Sequence, residues 1–114
     1  MDVEVLKKIS NWPSESLRVF SLFLEEPNKI LTYEDIANRL GLNPDKLSDK
    51  EGKSIGGILS TLKRNNLEGK PLIISLGRLL GTRRLQWRLN KAFSEETRSK
   101  LLSRVNEILK ERSI

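Results

Sequence analysis

The chain has 114 residues, 37% of them hydrophobic and 32% charged, values that fit one domain with a modest core. The formal net charge of +6 favours an acidic partner, whether a nucleic acid, an anionic membrane or an acidic protein. The sequence contains no cysteine and no histidine, which excludes disulfides, thiol catalysis, zinc–thiolate sites and the commonest general base.

The first two predicted helices lie on either side of a break at Asn11-Trp12-Pro13. Residues 2–10 are amphipathic and lack the apolar run of a signal peptide, and no stretch approaches the ~20 apolar residues of a membrane span. We therefore expect a soluble, intracellular protein, cytoplasmic or nucleoid-associated. Trp12 is expected to cover the core.

The second helix is predicted to begin with Ser14 as its N-cap. Its residues 17–24 are apolar on nearly all sides, which is typical of a helix at the centre of a domain. Ile30-Leu31 is a short extended segment, long enough to add an edge to a small sheet.

Two further helices are predicted between Thr32 and Arg64. Thr32 and Asp35 form a short capping box for the first, and Gly41 can end it. The second is expected to run from about Ser54 to Arg64. Its apolar residues recur at helical spacing and leave small and basic residues outward, as a helix that reads the DNA major groove requires. The joint, residues 42–52, is expected to be a loop, with or without one helical turn.

Residues 65–71 are expected to form a turn, and residues 72–90 a hairpin with Gly81-Thr82 at its tip. In this register Leu76 lies opposite Trp87 and Ser75 opposite Arg88. The alternation of side chains then divides the hairpin into two faces. The expected buried face is Ile74, Leu76, Leu85, Trp87 and Leu89. The other face is Ser75, Gly77, Arg84, Gln86 and Arg88.

Positive charge is concentrated in the second half of the chain. Residues 53–91 contain nine cations and one anion, Glu68, so the remaining residues are net acidic. Such a distribution is typical of a nucleic-acid-binding surface on one region of a domain.

The last predicted helix begins at Ser94, with acidic residues in its first turn and basic residues in its last. Its apolar stripe is only as wide as a packing seam, and it consists of Leu101, Leu102, Val105, Ile108 and Leu109. The stripe packs either on residues 2–10 of its own chain or on a second copy in a homodimer.

This order of elements resembles the winged helix-turn-helix family over about residues 14–90. The resemblance implies an α+β, mostly helical fold with a two- to three-stranded antiparallel sheet. It assigns residues 1–93 to the winged helix domain and 94–114 to a C-terminal helix for dimerisation or packing. In that family the second helix of the pair enters the major groove, and the wing touches the backbone or minor groove. By position, the DNA-binding residues are Lys53, Ser54, Ser60, Thr61, Lys63, Arg64, Arg78, Arg83, Arg84 and Arg88.

A narrower resemblance links LTYEDIANRLG and KSIGGIL to the DNA-binding half of O6-alkylguanine-DNA alkyltransferases. It pairs Tyr33 with a tyrosine near the flipped nucleotide and Lys53 with an arginine that supports the duplex. The Pro-Cys-His-Arg segment is missing and the chain has no cysteine, which excludes alkyl transfer. Gly56 and Gly57 either allow a DNA backbone to approach or, the alternative we favour, let the helix pack tightly on residues 17–24.

No paired carboxylates and no phosphate-binding glycine loop are present, so an enzyme is not expected. The sequence therefore predicts a DNA-binding winged helix protein, most simply a small transcriptional regulator, with no cofactor, metal, membrane or evident small-molecule ligand. The alternative is a winged helix used for protein–protein contact within a nucleic-acid-processing assembly.

Overall fold

The computed structural model describes residues 3–67, 69–78 and 85–113. The helices are α1 (Val3–Ile9), α2 (Ser14–Glu25), α3 (Tyr33–Arg39), α4 (Asp49–Arg64) and α5 (Glu95–Arg112). The strands are β1 (Leu31–Thr32), β2 (Asn66–Leu67), β3 (Lys70–Pro71), β4 (Ile73–Arg78) and β5 (Leu85–Leu89). This is the predicted fold class, a mostly helical winged helix with a small antiparallel sheet.

Helix α2 is the centre of the core, as its apolar sequence predicted. Leu17, Phe20 and Phe23 are fully buried, and α3, α4, α5 and β5 all contact this helix. The Trp12 ring covers one end of the core, 5.7 Å from the ring of Phe20. The helix begins at Ser14 itself, so the prediction of Ser14 as N-cap was wrong. Pro13 holds that position and makes no side-chain capping bond.

The main sheet has three strands in the order β1-β5-β4, so the short extended segment before Thr32 does add an edge strand. At the end of β1 the Thr32 backbone N–H donates to the Asp35 carboxylate at 2.9 Å, and α3 begins there. Strands β2 and β3 form a separate two-stranded ladder, where the sequence had predicted only a turn.

The predicted hairpin register holds near the tip and fails at the base. Gly77 pairs with Gln86 as predicted, but a β-bulge between Ser75 and Gly77 then shifts β4 by one residue, so that Ser75 lies opposite Trp87. The bulge is possible because Gly77 has a φ of +86°, a conformation that other residues rarely adopt.

The shift changes which side chains of β4 are buried. Ile73 is fully buried, whereas Leu76 is 36% exposed and Ile74 is half-buried. The prediction that Ile74 and Leu76 lie inside was therefore wrong, while Trp87 and Leu89 are buried as expected. The side chain of Leu85 and the predicted turn at Gly81-Thr82 lie outside the described part of the chain.

Helix α5 packs on α2 and α1 of its own chain. Leu101 and Val105 are fully buried, and Ile108 is nearly so. Arg98 donates to the Leu24 carbonyl at 2.7 Å, and Arg112 donates to the Trp12 carbonyl at 2.6 Å. Three of the five stripe residues thus complete the core of one chain. A homodimer through residues 94–113 stays a prediction, which light scattering tests.

Candidate nucleic-acid interface

Helix α4 begins five residues earlier than the sequence analysis predicted. Ser48 and Glu51 form a capping box: the Ser48 hydroxyl accepts from the Glu51 backbone N–H at 3.1 Å, and the Glu51 carboxylate accepts from the Ser48 N–H at 3.0 Å. The backbone N–H of Ser48, and then its hydroxyl, lower the pKa of the Glu51 carboxyl. The connection between α3 and α4 is therefore shorter than the predicted loop of residues 42–52. It contains one 3-10 turn, Pro44–Lys46.

The periodicity of α4 separates a buried face from an outward face. Ile55, Ile58, Leu59 and Leu62 are buried. The opposite row, four and three residues apart, is Lys53, Gly57, Ser60 and Arg64, and all four are exposed. We call these four residues the outward row.

The flanks of α4 face different neighbours. On one flank Ser54 and Thr61 border a cleft beside Pro13, at the start of α2. Thr61 is half-buried, and its hydroxyl donates to the Gly57 carbonyl at 2.9 Å, so this hydroxyl already makes a bond within the helix. On the other flank Gly56 and Lys63 border the β4–β5 hairpin.

Several cations elsewhere in the chain are paired with acidic side chains, and three cations of α4 have no such partner among the described residues. Ion pairs join Glu26 to Lys29, Glu25 to Arg39, Glu95 to Arg98, Glu96 to Lys100 and Glu107 to Arg104. Lys53, Lys63 and Arg64 make no ion pair with any residue that the structure describes. Their charge is therefore available to an anionic partner.

Charge also changes along α4. Its first turn carries Asp49 and Glu51, and its last turn carries Lys63 and Arg64. Acid at the N-terminus and base at the C-terminus both stabilise a helix through its dipole. A polyanion would accordingly contact the middle and last turns of α4 rather than its start.

The structure describes only some of the predicted DNA-binding arginines of the hairpin. Arg78 ends β4, opposite Leu85, and its side chain lies outside the described residues, as do Arg83 and Arg84. Arg88 lies between two core-facing residues of β5 and so occupies the opposite face of the sheet. It is half-buried there, and its Nε is buried without a hydrogen-bond partner among the described residues. The structure therefore does not bring Arg88 together with the outward row.

The glycines of α4 are not required by packing within the protein. A Cβ at Gly57 would meet no atom within 4 Å, and a Cβ at Gly56 would meet only the Tyr33 hydroxyl, at 3.5 Å. The interpretation that they let α4 pack tightly on α2 was therefore wrong. Each glycine within a helix costs about 0.5–1 kcal/mol relative to alanine, and packing within the described protein does not offset that cost at Gly57.

Sequence reasoning did not find the position of Ser75. The predicted register placed this serine on one face of the hairpin and Trp87 on the other. The bulge instead turns Ser75 to the same face as Trp87, where it borders the same cleft as Tyr33 and Lys63. The Leu-Gly pair at 76–77 was the available signal, since a glycine within a strand often marks a bulge.

Residues 3–67, 69–78 and 85–113 contain neither a metal site nor a membrane-spanning helix. No group of three or more acidic side chains in this part of the chain is placed to hold a metal ion. No helix there has the length and apolar character needed to cross a lipid bilayer.

Comparisons with known proteins support the fold. No protein-family model matches the chain, and no curated protein matches it. Among solved structures, the chain is similar to NadR in complex with 4-hydroxyphenylacetate, with a TM-score of 0.53 and 23% sequence identity. The match covers 96% of this chain and 66% of that chain, so the protein spans just under two thirds of the NadR chain. At this identity the similarity concerns the fold alone. The resemblance to O6-alkylguanine-DNA alkyltransferases finds no support in these comparisons.

Proposed function

We propose that the protein binds double-stranded DNA as a transcriptional regulator, with α4 in the major groove and hairpin 72–90 against the backbone or minor groove. The observation that carries this proposal is the outward row of α4 together with Lys63. These residues join small side chains to cations that have no acidic partner among the described residues. The winged helix fold, in which this helix is the reading helix, agrees with it.

The dimensions of α4 suit this role. A helix with its side chains is about 10–12 Å across, and the major groove of B-DNA is about 12 Å wide. The outward row spans three turns of the helix, from Lys53 to Arg64. Small residues at its centre bring the helix backbone near the base edges, and the cations near its ends lie where the phosphates of the two strands pass.

The proposed contacts divide into two kinds. Lys53, Lys63 and Arg64 bind phosphates and supply affinity that depends on salt. Ser60 is the residue placed to contact base edges, because its side chain is exposed at the centre of the row. Ser54 and Thr61 lie on the flank towards α2, and Thr61 already bonds within the helix, so we assign them supporting contacts.

One substitution should change the stability of the protein and its DNA affinity in opposite directions. Gly57→Ala should stabilise the protein by about 0.5–1 kcal/mol, since it fits without contact and removes the flexibility of glycine. The same methyl group should weaken DNA binding several-fold, because it lies on the surface that approaches the groove. Thermal unfolding and duplex titration measure the two effects.

The matched control is Gly52→Ala, which also meets no atom within 4 Å but lies outside the outward row. It should stabilise the protein by a similar amount and leave DNA affinity unchanged. Equal affinity of both variants and wild type would mean that Gly57 is not at the interface.

The test of the function is titration of a labelled generic duplex at several salt concentrations. Five or six phosphate contacts should give a slope of log affinity against log salt of about −5, at roughly −0.9 per contact. If the wing contributes, the double variant Arg83→Ala with Arg84→Ala should flatten the slope by up to about 2 and weaken all sequences alike. An unchanged slope would remove these two arginines from the interface.

If wild type binds no duplex even at low salt, DNA binding is rejected. Protein–protein contact then becomes the better explanation for the exposed residues of the outward row. If it binds, selection from random duplexes shows whether it prefers a sequence. Variants at Ser60 should then change the preferred sequence, whereas variants at Lys53 should change affinity alone.

A further inference from the structure

A cleft of about 400 Å³ lies between α3, α4 and the hairpin. It runs along the flank of α4 that faces the sheet, between the proposed reading helix and the proposed wing. The lining residues are Tyr33, Gly56, Leu59, Ser60, Lys63, Ser75 and Trp87. Lys63 is the only charged residue among the lining residues that the structure describes.

The polar groups of this cleft are not bonded to other described residues of the protein. The hydroxyls of Tyr33, Ser60 and Ser75 and the ammonium of Lys63 make no hydrogen bond or ion pair with any residue that the structure describes. Other hydroxyls are bonded internally, such as that of Ser21, which donates to the Arg18 carbonyl at 2.7 Å. Three hydroxyl donors and one cation therefore converge on a single open site.

Packing fixes the position of the Tyr33 hydroxyl. The Tyr33 ring meets the buried Trp87 edge-on, with ring centroids 5.2 Å apart and planes at 77°. Gly56 has no side chain to cover the Tyr33 hydroxyl. A Cβ at position 56 would lie 3.5 Å from the hydroxyl oxygen, in van der Waals contact with it. The phenol is thus held by its ring while its oxygen stays accessible.

The β-bulge adds the fourth donor. Because Ser75 lies opposite Trp87, the two side chains share the face of the sheet that looks towards α4. Without the bulge, Ser75 would lie on the other face of the hairpin. The irregularity in β4 therefore contributes to the cleft as well as bending the strand.

These donors indicate the class of ligand. Hydroxyls and a lysine are common partners of DNA phosphate oxygens, and no described lining residue carries a carboxylate that would repel a phosphate. An apolar small molecule fits less well, because such ligands need an apolar site that encloses most of their surface. Five of the seven described lining residues carry a hydroxyl or ammonium group or are glycine.

We propose that this cleft holds one backbone phosphate of the DNA strand that passes between the two grooves occupied by α4 and the hairpin. The proposal rests on the proposed function and names Tyr33 and Ser75 as further DNA-binding residues. A phosphate held there contacts α3, α4 and β4 at once. It fixes the duplex relative to both the reading helix and the wing.

Conservative variants test three of the four donors. Tyr33→Phe and Ser75→Ala should each weaken duplex binding about tenfold at fixed salt, the usual size for a hydrogen bond to a charged group. Neither should change the salt slope, because neither removes a charge. Lys63→Met should flatten the slope by about 0.9. Thermal unfolding should show all three variants folded.

The matched control is Ser99→Ala, an exposed serine on α5 that is not among the described lining residues of the cleft, which should bind within about twofold of wild type. A second measurement replaces single phosphates of the duplex with uncharged methylphosphonates. One position should lower wild-type affinity but have little further effect on Tyr33→Phe, since coupled losses are not additive.

The outcomes distinguish this inference from the function on which it depends. If wild type binds duplex but Tyr33→Phe and Ser75→Ala bind equally well, the cleft holds no phosphate and the proposed function stands. If no duplex binds, both proposals fail. Titration with inorganic phosphate should show no binding below millimolar concentration. Micromolar binding of inorganic phosphate that competes with duplex would assign the cleft to a free anion instead.

Discussion

Trp87→Ala should destabilise the protein by about 3–5 kcal/mol, as removal of a large core side chain does. Trp87 is 5% exposed, and it packs edge-on against Tyr33 beneath the cleft between α4 and the hairpin. Domains of this size have a total stability of about 5–15 kcal/mol, so the substitution removes a large share of it. Urea and thermal unfolding followed by circular dichroism measure the loss.

Leu76→Ala is the matched control for Trp87→Ala. The register predicted from sequence placed Leu76 opposite Trp87 inside the protein, whereas the structure leaves it 36% exposed beside the bulge. This variant should therefore lose less than about 1 kcal/mol, as exposed positions do. If Leu76→Ala were the more damaging of the two, the bulge and the shifted register would be wrong.

The second large effect concerns DNA affinity. Replacing Lys53, Lys63 and Arg64 together with alanine should weaken duplex binding by about 10²–10³-fold near 0.1 M salt and flatten the salt slope by about 2.7, because three phosphate contacts are lost. The fold should survive, since these side chains are exposed and make no ion pair with any described residue.

A charge-matched control separates local contact from net charge. Replacing Lys29, Lys100 and Lys110 with alanine removes the same three charges from exposed positions on other parts of the surface. This variant should retain most of its affinity and nearly the full slope. Equal losses of DNA affinity in the two triple variants would indicate that DNA is attracted to the overall charge of the protein. Helix α4 would then make no specific contribution to binding.

Much of the fold could be read from local chemistry. The apolar sequence of α2 identified the buried centre, and the capping pair at Thr32 and Asp35 identified the start of α3. The start of α4 was missed even though Ser48 and Glu51 are a capping box in the sequence. A proline, Gly52 and several Asx and serine residues in 42–52 suggested a loop, but the cap at Ser48 starts the helix before Gly52.

The candidate site was predictable only in part. Lys53, Ser60, Lys63 and Arg64 follow from helical periodicity, because residues three and four apart share a face. Tyr33 and Ser75 as partners of Lys63 do not follow from it. Tyr33, Lys63 and Ser75 lie on three different elements, and no local sequence pattern predicts how those elements pack together.

The sequence by itself determined the order of the helices and of the strands in the main sheet, the central helix, the basic second half and the face of α4 that is left outward. Each of these depends on residues close together in the chain. The tertiary structure decided where the bulge lies, that α5 completes the core of its own chain, and that the α4 glycines have open space beside them. Those outcomes depend on which surfaces meet across the molecule. Shifting one residue at Leu76 reverses the face of every side chain before it in β4, and only packing against the core selects between the two registers.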